Sequence, residues 1–259
     1  MRLTTKLALC ALAFIAATPA SAREIGFWTS ASAEKEIGYG IDGSFGAEYR
    51  TIGNHIDRWG FELDADRTIW TSSDNAFKLD AGIGYKYTRN LTTAKIVWKS
   101  ISDYNYHNSY WRNRSRISLQ LAGKYKFDRW DFTLRERYQF NITGKASYVI
   151  DKHTKPTTSQ DFIYGHKEKS KESEKEHIAR TQLGAAYDIA HCKFDPFASM
   201  ELFNSLSNGM KLEKTKFTLG CDWKITKGQA LEGAMVFQNR AADGEPAGFA
   251  VSFSYKYKF

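Results

Sequence analysis

The final residues of the chain, 249–259, alternate in chemical type to the last position. The apolar or aromatic positions are Phe249, Val251, Phe253, Tyr255, Tyr257 and Phe259, and most of the positions between them are Ser or Lys. Successive side chains of a β-strand point to opposite faces, so one face of this segment is aromatic and the other is polar. A strand with one lipid-compatible face and one wet face is typical of a transmembrane β-barrel.

The same aromatic positions carry a second signal. Phe253, Tyr255, Tyr257 and the terminal Phe259 resemble the recognition signal on the last strand of outer-membrane barrels. We therefore expect the barrel assembly machinery to be a partner during biogenesis.

The start of the chain reads as a secretory signal peptide. Residues 1–22 have a cationic start, an apolar run over Leu7–Ala17 and a small-x-small site at Ala20–Ala22. Cleavage after Ala22 would leave residues 23–259 as a single domain, and we expect that domain in the cell outer membrane.

The composition favours a barrel over a helical membrane protein. Past the signal peptide the chain has no run of about 18 to 20 apolar residues, which a transmembrane helix requires. A barrel needs apolar side chains only at alternate positions, and this reconciles 42% hydrophobic residues and a mean hydropathy of −0.51 with a membrane protein. The net charge of +8 suits an anionic lipid surface. The expected partners are outer-membrane lipid and lipopolysaccharide. A secreted chain without a recognisable nucleic-acid module is not expected to bind nucleic acid. The sequence leaves the oligomeric state open.

Alternation predicts an all-β, antiparallel, up-and-down barrel. The predicted strands lie near 25–34, 40–51, 59–71, 76–88, 110–127, 130–141, 178–190, 196–204, 211–225, 230–240 and 247–259. Single-chain bacterial barrels have even strand numbers, so Ala94–Ile101 is a candidate further strand, giving about twelve strands, with ten as the alternative. A soluble lipocalin-like barrel with the aromatic face inward is disfavoured, because its lumen would have to hold too many bulky side chains.

The connections predict two unlike ends. Short turns at Asp128–Arg129, 192–195 and 226–229 fall on one side, and a long extracellular loop spans 141–177 on the other. Within it, His166–His177 has no apolar residue, which indicates either a mobile solvated segment or a charged strand extension.

Charged residues occupy the predicted inner face. The early strands supply acids and the following strands supply bases, at Glu48, Glu62, Asp64, Asp66, Asp80, Arg112, Arg114, Arg116, Arg135, Arg137 and Arg180. Opposed acidic and basic walls suit either a channel constriction or a closed interior of paired charges. Glu136 conflicts with the pattern, because alternation places it on lipid, so we expect a bulge or a local change of face there.

Catalysis is not predicted. Ser205–Gly209 reads Ser-Leu-Ser-Asn-Gly, whereas an outer-membrane phospholipase carries His-x-Ser-Asn-Gly with the His as general base. Ser207 therefore lacks an evident activator, although an outer-membrane lipid-modifying enzyme such as a lipid hydrolase remains one alternative and a surface-binding barrel another. The histidines have no ligand-like spacing, so we expect no catalytic residue, no cofactor and no metal.

Three segments resemble a domain-of-unknown-function family of Gram-negative outer-membrane barrels. They are Phe27-Trp28-Thr29, the stretch from Gly123-Lys124-Tyr125-Lys126-Phe127 into Trp130–Tyr138, and Tyr255–Phe259. The resemblance implies the fold and the location, and it carries no activity.

Overall fold

A computed structural model describes residues 25–53, 55–100, 103–154, 163–239 and 248–259, so the predicted signal peptide lies outside the described residues. These ranges contain strands and turns and no helix. The strands are β1 (Gly26–Gly38), β2 (Ile41–Ile52), β3 (His55–Thr71), β4 (Phe77–Thr92), β5 (Lys95–Trp98), β6 (Tyr104–His107), β7 (Tyr110–Phe127), β8 (Trp130–Thr143), β9 (Ala146–Thr154), β10 (Ile163–Lys171), β11 (Glu174–Tyr187), β12 (Phe194–Ser205), β13 (Lys211–Thr226), β14 (Gln229–Gln238) and β15 (Gly248–Lys258). In the described part of the chain, no helix has the length and apolar character needed to cross a membrane.

Within the described ranges, eleven strands close into one barrel in the order β1-β15-β14-β13-β12-β11-β8-β7-β4-β3-β2. Neighbouring strands are antiparallel except for β1 and β15, which pair in parallel from Gly26↔Ala250 to Glu34↔Lys258. An odd number of up-and-down strands forces this exception, because the first and last strands then run the same way. The count is one below the expected twelve, since Lys95–Trp98 does form a strand but outside the barrel.

At one end of the barrel, short turns connect consecutive strands, and we call this the short-turn end. The chain reverses there between β1 and β2, β3 and β4, β7 and β8, β11 and β12, and β13 and β14. The first turn has Tyr39 at φ 54° and Gly40 at φ 69°, the pair of left-handed residues that a tight hairpin requires. Adjacent turns are tied together, for example by a hydrogen bond of 2.9 Å from Asp188 N to Arg129 O.

The opposite end, here called the far end, carries a second sheet of four strands in the order β10-β9-β6-β5. Its strands arise from the connections β4–β7 and β8–β11. The segment 141–177, expected as a long loop, therefore holds the end of β8, all of β9 and β10, and the start of β11. The charged strand extension describes His166–His177 better than a mobile segment does, with residues 155–162 outside the described residues.

The outer face of the barrel is apolar. Phe253 is 42% exposed and Tyr255 38% exposed on it, and further large apolar side chains are exposed on the strands from β4 round to β15. The lipocalin-like alternative, with these side chains inward, is therefore wrong. The only interior apolar cluster among the described residues is small and sits where the barrel closes, with Trp28, Val236 and Ala250 in contact.

Glu136 lies on the outer face, contrary to the expected bulge or change of face. Its register is unbroken, since it pairs with Thr181 on one side and Leu121 on the other. The carboxylate instead finds a local donor, as Thr181 Oγ1 donates to Glu136 Oε2 at 3.0 Å. This hydrogen bond from the neighbouring strand reduces the cost of holding a carboxylate on the outer face, and no bulge is needed there.

Candidate functional site

The candidate site is the charged lumen, which strand alternation builds from every second residue. The acids and bases predicted for the inner face occupy alternate positions of their strands, and several of them adjoin an outward aromatic or aliphatic residue. Glu48, for example, precedes the outward Tyr49, and Arg137 precedes the outward Tyr138, each about 40% exposed. Inward Arg112 is 4% exposed and Arg114 is 9% exposed, so these guanidinium groups are held within protein rather than in bulk water.

The first ion-pair group joins β2, β3 and β4. Lys86 Nζ lies 3.0 Å from Glu48 Oε2 and 2.9 Å from Glu62 Oε2, and Arg50 Nη2 lies 3.0 Å from the same Glu48 oxygen. One ammonium on β4 thus links two carboxylates, one on β2 and one on β3. We call Glu48, Glu62 and Lys86 the Lys86 bridge.

A second group lies on β11, β12 and β13. Glu201 is 2% exposed, its Oε1 is 2.9 Å from Lys216 Nζ, and Arg180 pairs with its other oxygen. Sequence reasoning gave no role to Glu201, Lys216 or Lys86. Alternation alone would have placed Glu201 inward, because Met200 and Leu202 flank it on an outward-facing pattern.

The predicted acids lie on β2, β3 and β4 and the predicted arginines on β7, β8 and β11, but the acids are not alone on their wall, because Arg50 and Lys86 lie among them. Glu48 pairs with Arg50 and Lys86, and Glu62 pairs with Lys86, so these two acids have partners on their own side of the lumen. Several bases meet neutral amides instead. Arg116 Nε donates to Asn141 Oδ1 at 2.8 Å, and Arg137 Nη2 donates to Gln120 Oε1 at 2.6 Å.

The remaining predicted residues are spread along the barrel axis. Asp66 accepts a hydrogen bond from the side chain of Gln120. Asp64 interacts electrostatically with Glu62, Asp66 and Arg137. Arg135 is close enough to Arg137 for their like charges to interact. Asp80 pairs with Lys124 at 2.7 Å near the short-turn end, whereas Arg112 Nη1 reaches Glu174 Oε2 at 3.3 Å near the far end. These two residues therefore do not share one site with the Lys86 bridge.

Two cavities lie in the lumen and meet at Glu62 and Lys86. The larger, of ≈ 310 Å³, is lined by Ser30, Ser32, Glu34, Ser44, Glu48 and Asp64 among others, and we call it the acidic cavity. The other, of ≈ 180 Å³, we call the basic chamber. Its charged lining is Arg50, Arg58, Lys86, Arg116, Arg137, Arg180, Lys214, Lys216 and Glu62.

Aromatic rings complete the basic chamber. The Arg50 guanidinium lies 4.1 Å from the centre of the Trp28 ring, and Lys214 Nζ lies 4.1 Å from that of Phe203. Ring faces attract cations through the ring quadrupole, but they carry no net charge that would neutralise them. The chamber is consequently lined by cations held in fixed positions.

Ser207 sits in the turn between β12 and β13 at the far end. Its Oγ accepts a hydrogen bond from the backbone N of His177 at 3.1 Å. The imidazole of His177 is engaged elsewhere, with Nδ1 at 2.6 Å from Tyr138 Oη. Across the described ranges there is no group of three or more His, Cys, Asp or Glu residues that could hold a metal ion.

A closed barrel with an apolar outer face and a charged lumen defines the class, a transmembrane β-barrel. Within that class, the chain belongs to the family described as "Protein of unknown function (DUF2490)", which it matches over residues 25–247. Curated proteins give no match.

Two solved structures are similar at low identity. The β domain of the Bordetella autotransporter BrkA is 13% identical, with a TM-score of 0.47 over 86% of each chain. An anion-selective porin from Comamonas acidovorans is 11% identical, with a TM-score of 0.24 over 86% of this chain and 83% of that chain.

Proposed function

We propose that this protein is an outer-membrane barrel whose lumen is a narrow, non-catalytic pathway for small charged solutes, constricted at the Lys86 bridge. The observation that carries the proposal is the pair of lumen cavities that meet at Glu62 and Lys86. A pathway needs water-accessible space on both sides of its constriction, and charged side chains at a constriction select what passes.

A closed structural barrel is the competing use of the same residues. Buried ion pairs can fill a lumen simply because ionised groups away from water need partners. The two uses differ in conductance. They also differ in the effect of removing a charge at the constriction, which should change the conductance of a channel but lower the stability of a closed barrel.

Planar-bilayer recording of the purified barrel tests the proposal. The wild type is expected to conduct in small steps, and Lys86→Gln to change the step size because it removes the cation shared by Glu48 and Glu62. Replacing Arg135 and Arg137 by Glu should shift selectivity away from anions. Lys78→Gln, which changes charge at the short-turn end, serves as the control. A silent wild type, with a stable fold, contradicts the pathway and leaves the closed barrel.

The outer-membrane location and the assembly partner are part of the proposal. The apolar outer face and the terminal run of Phe253, Tyr255, Tyr257 and Phe259 support both. Cell fractionation should recover the protein with outer membranes, and deletion of Phe259 should lower the folded fraction there. Recovery in the soluble periplasm would contradict the location.

Lack of catalysis is also proposed. The backbone N–H on Ser207 Oγ and the Tyr138 contact of the His177 ring support it, because neither arrangement activates a hydroxyl nucleophile. Phospholipid turnover that disappears in Ser207→Ala would overturn this part.

A row of rings on the second sheet favours one further candidate, binding of lipopolysaccharide sugars at the far end. Trp98, Tyr104, His153 and Tyr164 lie side by side on β5, β6, β9 and β10, with ring centres 4.4 to 5.0 Å apart. The terminal rings, Trp98 and Tyr164, are 62% and 64% exposed. A double replacement by Ala should weaken binding to purified lipopolysaccharide several-fold, while Ile96→Ala should not. Equal binding by both variants would exclude the ring row.

A further inference from the structure

The second sheet separates its charges by face. Four exposed lysines lie on one face, here called the lysine face, and they are Lys95, Lys152, Lys167 and Lys169. Strand register fixes this arrangement, because cross-strand partners share a face. One row of partners runs from Lys95 on β5 through His107 and Ile150 to Lys167 on β10. The lysine face therefore extends from one edge of the sheet to the other.

The acids of the same four strands lie on the opposite face. They are Asp151 and Glu168, and alternation places both on the face of the ring row. Asp151 is paired there with His166, at 2.6 Å. Among the ion pairs of the described residues, none includes a lysine of the lysine face. The lysine face consequently keeps its positive charge.

The lysines act on a common centre. The His107 ring lies on the lysine face, 6.0 Å from the centre of the Tyr148 ring. Partial burial, together with the positive charges of Lys95 and Lys169, lowers the pKa of the His107 imidazole. Lysines from both edge strands thus reach the middle of the sheet. The two edge strands are three interstrand spacings apart, about 14 Å, so the patch is wider than one small anion and suits a surface that carries several anionic groups.

The lysine face lies between the barrel and the ring row. β9 leaves the barrel after Thr143, with Lys169 opposite Tyr148 and Lys167 opposite Ile150, and the ring row crosses β9 at His153. The ring row is three residues, about 10 Å, farther along β9 than the partner of Lys167. Lipopolysaccharide has the same order outward from the membrane: acyl chains, then phosphate groups on the innermost sugars, then further sugars.

We propose that the lysine face binds the phosphate groups of lipopolysaccharide. Clustered lysines beside a membrane attract anionic lipid, and each acts as a point charge that needs no fixed geometry. Nucleic acid fits less well, because proteins that bind it combine cations and stacking rings on one surface, whereas the ring row and the lysine face are on opposite sides of the sheet. The inference deepens the lipopolysaccharide candidate by naming phosphate as a ligand group, and it rests on the outer-membrane location proposed above.

Binding is measured with the full folded barrel in non-ionic detergent. The ligands are purified lipopolysaccharide and the same lipopolysaccharide after enzymatic removal of its phosphates. The wild type should bind the intact form about tenfold more tightly. Lys167→Gln with Lys169→Gln should lose about tenfold toward the intact form and bind the dephosphorylated form as before. Lys193→Gln with Lys227→Gln removes two exposed ammonium groups from turns of the short-turn end, and this matched control should bind both forms like the wild type.

The charge-conserving pair, Lys167→Arg with Lys169→Arg, should keep the preference for the intact form. If the glutamine pair does not fold, Lys95→Gln with Lys152→Gln tests the same face from β5 and β9. Equal affinity of the wild type for the two forms, or equal losses in the glutamine pair and the control pair, would overturn the proposal. Displacement of lipopolysaccharide by duplex DNA at lower concentration would assign the face to nucleic acid instead.

Failure of the other proposals has different signatures. Loss of the ring row in Trp98→Ala with Tyr164→Ala should weaken the intact and dephosphorylated forms equally. A wild type that is silent in planar bilayers contradicts the pathway, and recovery in the soluble periplasm contradicts the location. Neither result changes the preference for phosphate that is measured in detergent.

Discussion

At the scale of single residues, Glu136 is the outer-face position with the sharpest conflict between charge and surroundings. It lies near Leu134 and Leu183 on the outer face, and its carboxylate accepts a hydrogen bond from Thr181 Oγ1. Replacing Glu136 by Leu should raise the free energy of unfolding in lipid vesicles by about 1 to 2 kcal/mol, because a lipid-facing ionisable group is removed.

Thr181→Val makes the opposite change at the same contact. It leaves the Glu136 carboxylate without this donor and should lower the free energy of unfolding by about 1 to 2 kcal/mol. Urea titration followed by gel mobility of folded and unfolded forms measures both variants. A Glu136→Leu barrel that is less stable than wild type would show that the carboxylate has a stabilising partner on the outer face.

Phe253 tests the outer face where the barrel closes. Its ring lies 5.6 Å from that of Phe27 on the neighbouring strand, and both point away from the lumen. Phe253→Arg should cost roughly 2 to 4 kcal/mol if the position lies near the bilayer midplane. Phe253→Leu, which keeps an apolar side chain, is the control, and equal stabilities of the two variants in vesicle refolding would contradict the face assignment.

Residue types alone predict which side chains face inward, but not which of them meet. Alternation has a period of two, so Glu48 and Arg137 fall on the inner face whatever the size of the barrel. Contact between Glu48 and Lys86 depends on strand register and curvature across β3, which no local pattern encodes. The contacts within the Lys86 bridge and around Glu201 therefore could not be predicted from the sequence and are visible only in the structure.

At the scale of elements, the second sheet shows the limit of periodicity. β9 alternates in exposure much as a barrel strand does, whereas all four residues of β5 are exposed, and both strands are short. The even-number rule for bacterial barrels made the segment 94–101 the candidate for one further spanning strand. Length is the better guide, because Lys95–Trp98 is shorter than the ~9 to 11 residues that a spanning strand needs.

The second sheet also contains a pH-sensitive contact above the barrel rim. Asn108 Nδ2 donates to Asp151 at 2.9 Å and His166 Nδ1 lies 2.6 Å from the same carboxylate, and these hydrogen bonds lower the pKa of Asp151. A lowered folded pKa contributes stability that is present above the unfolded value of about 3.9 and is lost as the pH falls through the folded value. Local opening of the β6–β9 pair should therefore become easier below about pH 4.

Hydrogen-exchange protection of the β6 and β9 amides measures this opening. In Asp151→Asn the fall in protection at low pH should disappear, while protection in β13 should follow the wild type in both proteins. Protection that falls equally in the variant would assign the pH effect to another group.

At the scale of the whole molecule, strand number decides how the barrel closes. The alternating pattern shows eleven spanning strands, and the expectation of about twelve came from the even-number rule for bacterial barrels. That rule describes other chains and contains no information about this one. The parallel β1–β15 seam is the physical consequence of the odd count, and a mitochondrial barrel of about nineteen strands closes with an odd count too.

The seam can be tested by a designed disulfide. Ser30 and Ser254 are partners in the parallel register, and their Oγ atoms are 2.6 Å apart on the inner face. Cysteines at both positions, in a background where Cys192 and Cys221 are replaced by Ser, should oxidise in the folded barrel, because side chains this close satisfy disulfide geometry.

The disulfide joins the first strand of the barrel to the last. The denatured, non-reduced protein should therefore migrate faster in a gel, and the midpoint of thermal unfolding should rise. Ser30→Cys with Ser252→Cys, offset by one inward position along β15, is the matched control and should oxidise far less. An even-stranded barrel would run β1 antiparallel to its last strand and lose this register. Equal oxidation of both pairs, or none in either, would therefore contradict the parallel closure.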